Sequence, residues 1–181
     1  KQRRFQKGIA LLESGGLIQD LSKKSSDLVY QKRLYLTLGD RYLQLTCYSE
    51  ANVCYQKSLR DVFILKNPSW LVAAGCGSLG IFYKEMGDFK TSLTFHQISL
   101  SVGEQLKDQE LIHKAYSNMG NTYTSSGDFD RAEEYSKKHQ VYSQKAQNEE
   151  ELLNSYINRG NILDDAGQHD KAAAEYEKGL K

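Results

Sequence analysis

Four glycines, Gly39, Gly80, Gly120 and Gly160, recur at separations of 41, 40 and 40 residues. Each sits in a segment of one pattern: YLTLGDRYLQL, CGSLGIFYKEM, YSNMGNTYTSS and YINRGNILDDA. Four residues before each glycine stands Tyr35, Cys76, Tyr116 or Tyr156, and three after it Tyr42, Tyr83, Tyr123 or Leu163. A period of this length means repeated supersecondary units, which bury their apolar faces only by stacking on one another. The constraint is strong, because it replaces one central core with a row of similar interfaces.

The unit reads as two helices. The chain has a single proline and long runs rich in Ala, Leu, Glu, Lys and Gln, which suit helices and not strands. Positions 4, 7, 8 and 11 of each first segment share one helical face, with the glycine as a smooth patch for close approach of a second helix. The segments run into breaks, TCYSEA, GDFKTS, GDFDRA and GQHDKA. In GDF the glycine closes the first helix and the aspartate caps the second. Tyr55, His96, Ser136 and Tyr176 then recur at matching places of the second helix, and Ala51, Ser92, Ala132 and Ala172 mark its early, small position.

The spacing of Gly, Tyr and the small residue resembles the W-x2-LG-x2-Y…A-x3-F pattern of the tetratricopeptide repeat over about residues 31–181. The resemblance implies an all-α fold, a right-handed superhelical solenoid of helix hairpins. Four repeats are expected at about 31–70, 71–110, 111–150 and 151–181, after an N-terminal helical cap or divergent repeat in 1–30. The period of about 40, against the usual 34 or so, is similar to that of LGN/Pins-type polarity adaptors and tonsoku-like genome-maintenance proteins. Two departures fall in the last repeat: Arg159 stands at an apolar position and Leu163 at a tyrosine position.

The composition narrows function further. The net charge of +1 gives no overall attraction to nucleic acid or anionic membrane, and KQRR at Lys1–Arg4 reads as a solvated terminus. Cys47, Cys54 and Cys76 form no C-x-x-C pair and read as reduced core thiols, which places the protein in the cytoplasm or nucleus. No apolar run reaches the roughly 18 residues of a membrane span, and no signal peptide opens the chain. The chain starts without Met and stops at Lys181 inside a helical pattern, so a fragment of something larger is expected.

Catalysis finds no constellation. His96, His113, His139 and His169 read as scattered over second-helix, linker and turn positions, without H-x-x-x-H spacing, so no metal site is expected. GCGSLG at Gly75–Gly80 matches a dinucleotide loop by letter only, since no strand precedes it. Asp164 and Asp165 point about 100° apart on a helix and read as solvated surface in preference to an acid–base pair. The expectation is a non-enzyme with no cofactor and no small-molecule substrate.

The resemblance further implies that first helices line a concave groove through positions 2, 5, 6, 9, 12 and 13. These give Arg33 and Asp40 in the first repeat, Lys84 in the second, and Lys114, Asn118 and Asn121 in the third. The fourth contributes Asn154, Asn158, Asn161, Asp164 and Asp165. Asparagine is a poor helix former, yet Asn118, Asn121, Asn158 and Asn161 repeat in register. Each amide can pair with both the N–H and the C=O of an extended peptide. The co-chaperone carboxylate clamp is absent, because Leu36, Asp40, Gly77 and Ile81 stand at its Lys and Asn positions, so a chaperone C-terminal tail is not the expected ligand. The expected partner is a mixed-charge segment of another protein, its basic end toward Asp164 and Asp165. The alternative is a structural solenoid that self-associates or braces neighbouring domains with no groove ligand.

Overall fold

The computed structural model describes residues 28–60, 70–145 and 149–180. All regular structure there is helical. The helices are α1 (Leu28–Gln44), α2 (Tyr48–Leu59), α3 (Trp70–Glu85), α4 (Phe89–Leu106), α5 (Gln109–Ser126), α6 (Phe129–Lys145), α7 (Glu149–Asp165) and α8 (His169–Gly179). The cap or divergent repeat expected in 1–30 lies, but for the start of α1, outside the described residues, as does the KQRR terminus.

The chain forms two compact units, residues 1–66 and 67–181. In the first, α1 packs against α2 as an antiparallel hairpin. In the second, α3–α4, α5–α6 and α7–α8 are hairpins; α4 also packs on α5 and α6 on α7, while α3 meets α5 and α5 meets α7. First helices therefore stack on first helices, which is solenoid packing.

The turns show why each hairpin closes where it does. At the end of α3 the Gly87 N–H bonds the Lys84 carbonyl and the Asp88 N–H reaches back to Tyr83. Gly127 with Asp128, and Gly167 with Gln168, repeat these two bonds. All three glycines have φ between 72° and 80°, the left-handed geometry that this helix stop requires. In the first hairpin Thr46 takes the same role at φ 60°. Asp88 then accepts from the Thr91 N–H at 3.1 Å, and Asp128 from that of Arg131 at 3.2 Å. The bond to Thr91 holds the Asp88 carboxyl below its usual range. Asp108 caps α5 in the same way through Leu111.

The seam inside each hairpin is built on the repeated glycine. A methyl placed on Gly39 would lie 2.6 Å from the Tyr55 ring, and one on Gly80 or Gly160 would overlap the His96 or Tyr176 ring. At Gly120 the partner is Ser136, and the nearest atoms stand 3.6 Å away. Ala51, Ser92, Ala132 and Ala172 are buried beside these contacts. Between the second and third hairpins the core runs through Leu100, Ile112, Ala115 and Met119, with Leu93, Tyr116, Tyr135 and Tyr142 packed around it.

The last repeat accommodates its departures by exchanging one kind of pair for another. The residue before the glycine and the residue fifteen after it are Leu79 with Phe95, Met119 with Tyr135, and Arg159 with Glu175. Arg159 Nη1 donates to Glu175 Oε1 and to Gln140 Oε1, both at 3.1 Å, and Nη2 lies 3.5 Å from Glu133. The Glu175 side chain is only 5% exposed, and Arg159 and Lys178 both reach it, the pairing that a buried carboxylate needs. Leu163 is buried without needing a hydroxyl partner.

The cysteines conform to a core role: Cys54 and Cys76 are buried, Cys47 is half-buried, and all three are free thiols. Burial pushes the Cys76 thiol up to about 12, so it stays protonated and inert. No helix among the described residues is long and apolar enough to cross a membrane.

Candidate binding groove

In the second unit the stacked first helices leave two adjoining hollows. The first, about 300 Å³, lies between α3 and α5 over Ala74, Gly77, Ser78 and Ile81, with the half-exposed Trp70 at one end. Small residues on α3 create the depth. Lys114, Asn118, Asp108 and Glu110 supply its polar side from the α5 segment. The second hollow, about 220 Å³, lies between α5 and α7 and is lined by His113, Ser117, Glu151, Asn154 and Asn158, with His139 of α6 at its base. Lys114 and Asn118 border both, so the two hollows adjoin across α5.

Of the residues singled out from sequence, the structure brings Lys114, Asn118, Asn154 and Asn158 together here. The amides differ in what they already bond. Asn158 donates through Nδ2 to Ser117 Oγ at 3.0 Å, tying α7 to α5. Asn161 accepts from the Tyr176 hydroxyl at 2.8 Å within its own hairpin. Asp40 accepts in the same manner from Tyr55, at 3.0 Å, in the first unit. By contrast, Asn118, Asn121 and Asn154 have no side-chain hydrogen bond among the described residues. Lys114 pairs with Glu110 one turn away, Lys84 with Glu85 at 3.0 Å, and Asp164 with His169 at 2.6 Å. Asp165 is exposed on α7, and Arg33 is exposed on α1 of the first unit.

Three features of the groove were not drawn from sequence. Trp70 was not singled out, though a lone tryptophan opening a first helix could have been. His113 lies in α5 rather than in a linker. It stacks on His139 of α6, with ring centroids 5.6 Å apart, and its Nδ1 is 3.6 Å from Glu151 Oε2 of α7. No spacing rule finds such a trio, because each member sits on a different helix. Burial holds the His139 ring down at about 4, with its neighbour His113 adding to the effect. His113 is lowered for the same first reason, against the opposing charge of Glu151.

A family model described as tetratricopeptide repeat matches residues 111–181, the span of α5 to α8. Among solved structures, BtubC (BKLC) from P. vanneervenii superposes with a TM-score of 0.78 at 21% identity, over 98% of this chain and 72% of that one. A Rap protein complexed with competence and sporulation factor gives 0.80 at 16% identity, over 96% of this chain and 51% of the Rap protein. The nearly identical TPR-like repeats of a putative kinesin light chain from Podosopora anserina give 0.72 at 15% identity, over 99% and 90%. No curated protein matches the chain in sequence. These likenesses show the fold: an all-α solenoid of tetratricopeptide-type hairpins.

Proposed function

We propose that this protein is a non-catalytic interaction scaffold of the cytoplasm or nucleus, and that the α3–α5–α7 groove holds an extended segment of another protein. One observation carries the reading: a groove of two hollows that share Lys114 and Asn118, in which Asn118 and Asn154 present amides without a side-chain hydrogen bond among the described residues. A helix face that only needed solvation would be filled better by Ala, Glu or Lys. An extended peptide needs both donors and acceptors along its backbone, and asparagine offers both. The Rap protein complexed with competence and sporulation factor is a solenoid of this fold with a bound factor, which favours the same use here. Asp165, with Asp164 beyond it, orients a mixed-charge ligand with its basic end over α7. The role fits an adaptor similar to LGN/Pins-type polarity proteins or to tonsoku-like chromatin and repair proteins.

The test uses peptides selected from a displayed random library on the immobilised protein. Asn118→Ala with Asn154→Ala should weaken the selected peptides at least tenfold, with helicity and Tm unchanged. Equal affinity for the double variant would sink the groove reading. Asp164→Lys with Asp165→Lys should weaken peptides with a basic end and spare neutral ones.

A second reading, self-association, has its own observation: Leu153 and Ile157 on α7 are each 40% exposed, beside Leu180 at 88%. If that face assembles copies of the chain, Ile157→Lys lowers the mass measured by light scattering. The asparagine pair leaves it unchanged.

A further inference from the structure

His113, His139 and Glu151 converge from α5, α6 and α7 so that one ligand atom of each lies within 4.8 Å of the others. Among the described residues no other three histidines, cysteines or carboxylates are so placed. His113 and His139 are 5% and 2% exposed, and the Nδ1 atom of each is buried with no hydrogen-bond partner. A buried imidazole nitrogen without a hydrogen bond is rare and costly, and the Glu151 oxygen opposite His113 Nδ1 stands beyond that reach at 3.6 Å. His96 also has bare ring nitrogens, but its ring fills the space over Gly80. His113 and His139 instead border a hollow of about 220 Å³ with a carboxylate on its far wall.

We propose that His113, His139 and Glu151 bind a divalent ion of the zinc class, which ties the third hairpin to the fourth beside the groove. Two imidazoles and one carboxylate suit an ion that accepts nitrogen and oxygen together, and disfavour calcium and magnesium, which require oxygen sets. In a tetrahedral site with bonds of about 2.0–2.1 Å, ligand atoms stand roughly 3.3 Å apart. The separation of His113 Nδ1 and Glu151 Oε2, 3.6 Å, is already close to that. Closing the trio means drawing ligand atoms now within 4.8 Å of one another in to roughly 3.3 Å. The fourth position faces the cavity beside Asn154 and Asn158, where a water can complete the shell. Lys114 is the nearby cation, and its partner Glu110 offsets it. The consequence is mechanical: the ion would add a tie among α5, α6 and α7 to the Asn158–Ser117 hydrogen bond between α5 and α7 and the Arg159 contacts with Glu133 and Gln140 between α6 and α7. The inference is independent of whether the groove holds a peptide.

The experiment takes untagged protein stripped with chelator and titrates Co²⁺, whose visible bands report a tetrahedral site. A single equivalent should saturate the spectrum, Zn²⁺ should abolish it, and Zn²⁺ should raise Tm reversibly with chelator. Because His139 is deep in the fold, the deciding variants are Glu151→Gln and His113→Asn, folded by circular dichroism. Each should weaken Co²⁺ by more than the roughly 10–100-fold that loss of an outer-shell partner brings. His169→Asn, which removes the exposed His169–Asp164 pair, should leave the titration unchanged. The proposal is overturned if no saturable spectrum forms, if Glu151→Gln and His113→Asn each weaken binding less than tenfold, or if His169→Asn abolishes it.

Discussion

Alanine at each repeated glycine should separate the four hairpins by what stands opposite. The helix-propensity gain on replacing Gly by Ala is about 0.8–1.0 kcal/mol, and it is common to all four sites. What differs is the room for a methyl. At Gly120 the nearest atoms are the Ala132 carbonyl oxygen and Ile162 Cδ1 at 3.6 Å, an ordinary contact, so Gly120→Ala should stabilise by up to about 1 kcal/mol. At Gly80 the methyl overlaps the His96 ring, which is fully buried and has no open direction in which to swing. Relief then requires α3 and α4 to part, an overpacking that costs about 1–3 kcal/mol. The shared propensity term cancels between the two variants, so they should differ by that same 1–3 kcal/mol or so. At about 2–4 °C per kcal/mol for a chain of this size, their melting points should lie roughly 2–12 °C apart.

Far-UV circular dichroism during heating and in urea reads the difference, since every element is helical. A second arm isolates the cause. In a His96→Ser background, which copies the Gly120–Ser136 pair, Gly80→Ala should lose most of its penalty. Gly39→Ala should resemble Gly80→Ala, because Tyr55 is equally enclosed. Gly160→Ala should fall between, since Tyr176 is half-buried and can turn outward by giving up its bond to Asn161. If Gly80→Ala and Gly120→Ala melt together, the seam does not depend on the partner residue and the reasoning fails.

Thr46 holds the left-handed turn position that glycine fills elsewhere, at φ 60° with a β-branched side chain. Thr46→Gly should therefore raise stability by about 1 kcal/mol in urea unfolding. Arg159→Ala removes one of the two cations on the buried Glu175 carboxylate and leaves Lys178, a loss of about 1.5–3 kcal/mol, whereas Arg159→Met with Glu175→Tyr restores the third-repeat pair. That double variant should unfold within about 1 kcal/mol of wild type or above it; equal destabilisation by the single and double changes would refute the exchange. His96 and His139 are held by burial at about 4, against 6.5 when unfolded. Between those values the unfolded chain binds more protons, so stability is full above about 6.5 and falls as pH drops toward 4. In chelator-treated protein, His96→Ser should flatten that limb of a Tm-versus-pH curve.

What the sequence made legible follows from what the period fixes. Residues with one backbone-dependent job recur in register: the left-handed Gly87, Gly127 and Gly167, the capping Asp88 and Asp128, and the buried Ala51, Ser92, Ala132 and Ala172. A local pattern suffices for these, because the turn, the cap and the small seam position are set inside one hairpin, even where Ser92 also reaches Thr122 of the next. Arg159 read as a misfit because its partner Glu175 lies on the other helix, in a position that is Phe95 or Tyr135 in the two preceding hairpins. The compensation is visible only when both departures are placed in the same seam. The same limit hid His113, His139 and Glu151, which three different helices bring to one point.

The asparagines show where register alone misleads about role. Asn118 and Asn158 occupy one repeat position, as do Asn121 and Asn161, yet only Asn158 and Asn161 are engaged inside the fold. The difference comes from their neighbours. Tyr176 stands over Gly160 and reaches Asn161, while the matching Ser136 is too short to reach Asn121. Ser117 likewise meets Asn158 from the preceding repeat. Equivalent positions thus differ in engagement: Asn161 is tied within its hairpin, Asn158 lines the groove but is tied to Ser117, and Asn118 lines it with no side-chain bond among the described residues. Asn161→Ala should lower Tm and leave ligand affinity alone, whereas Asn118→Ala should do the reverse. Measured together in one peptide-binding and melting series, the two variants test whether the division is real; parallel losses in both readouts would erase it.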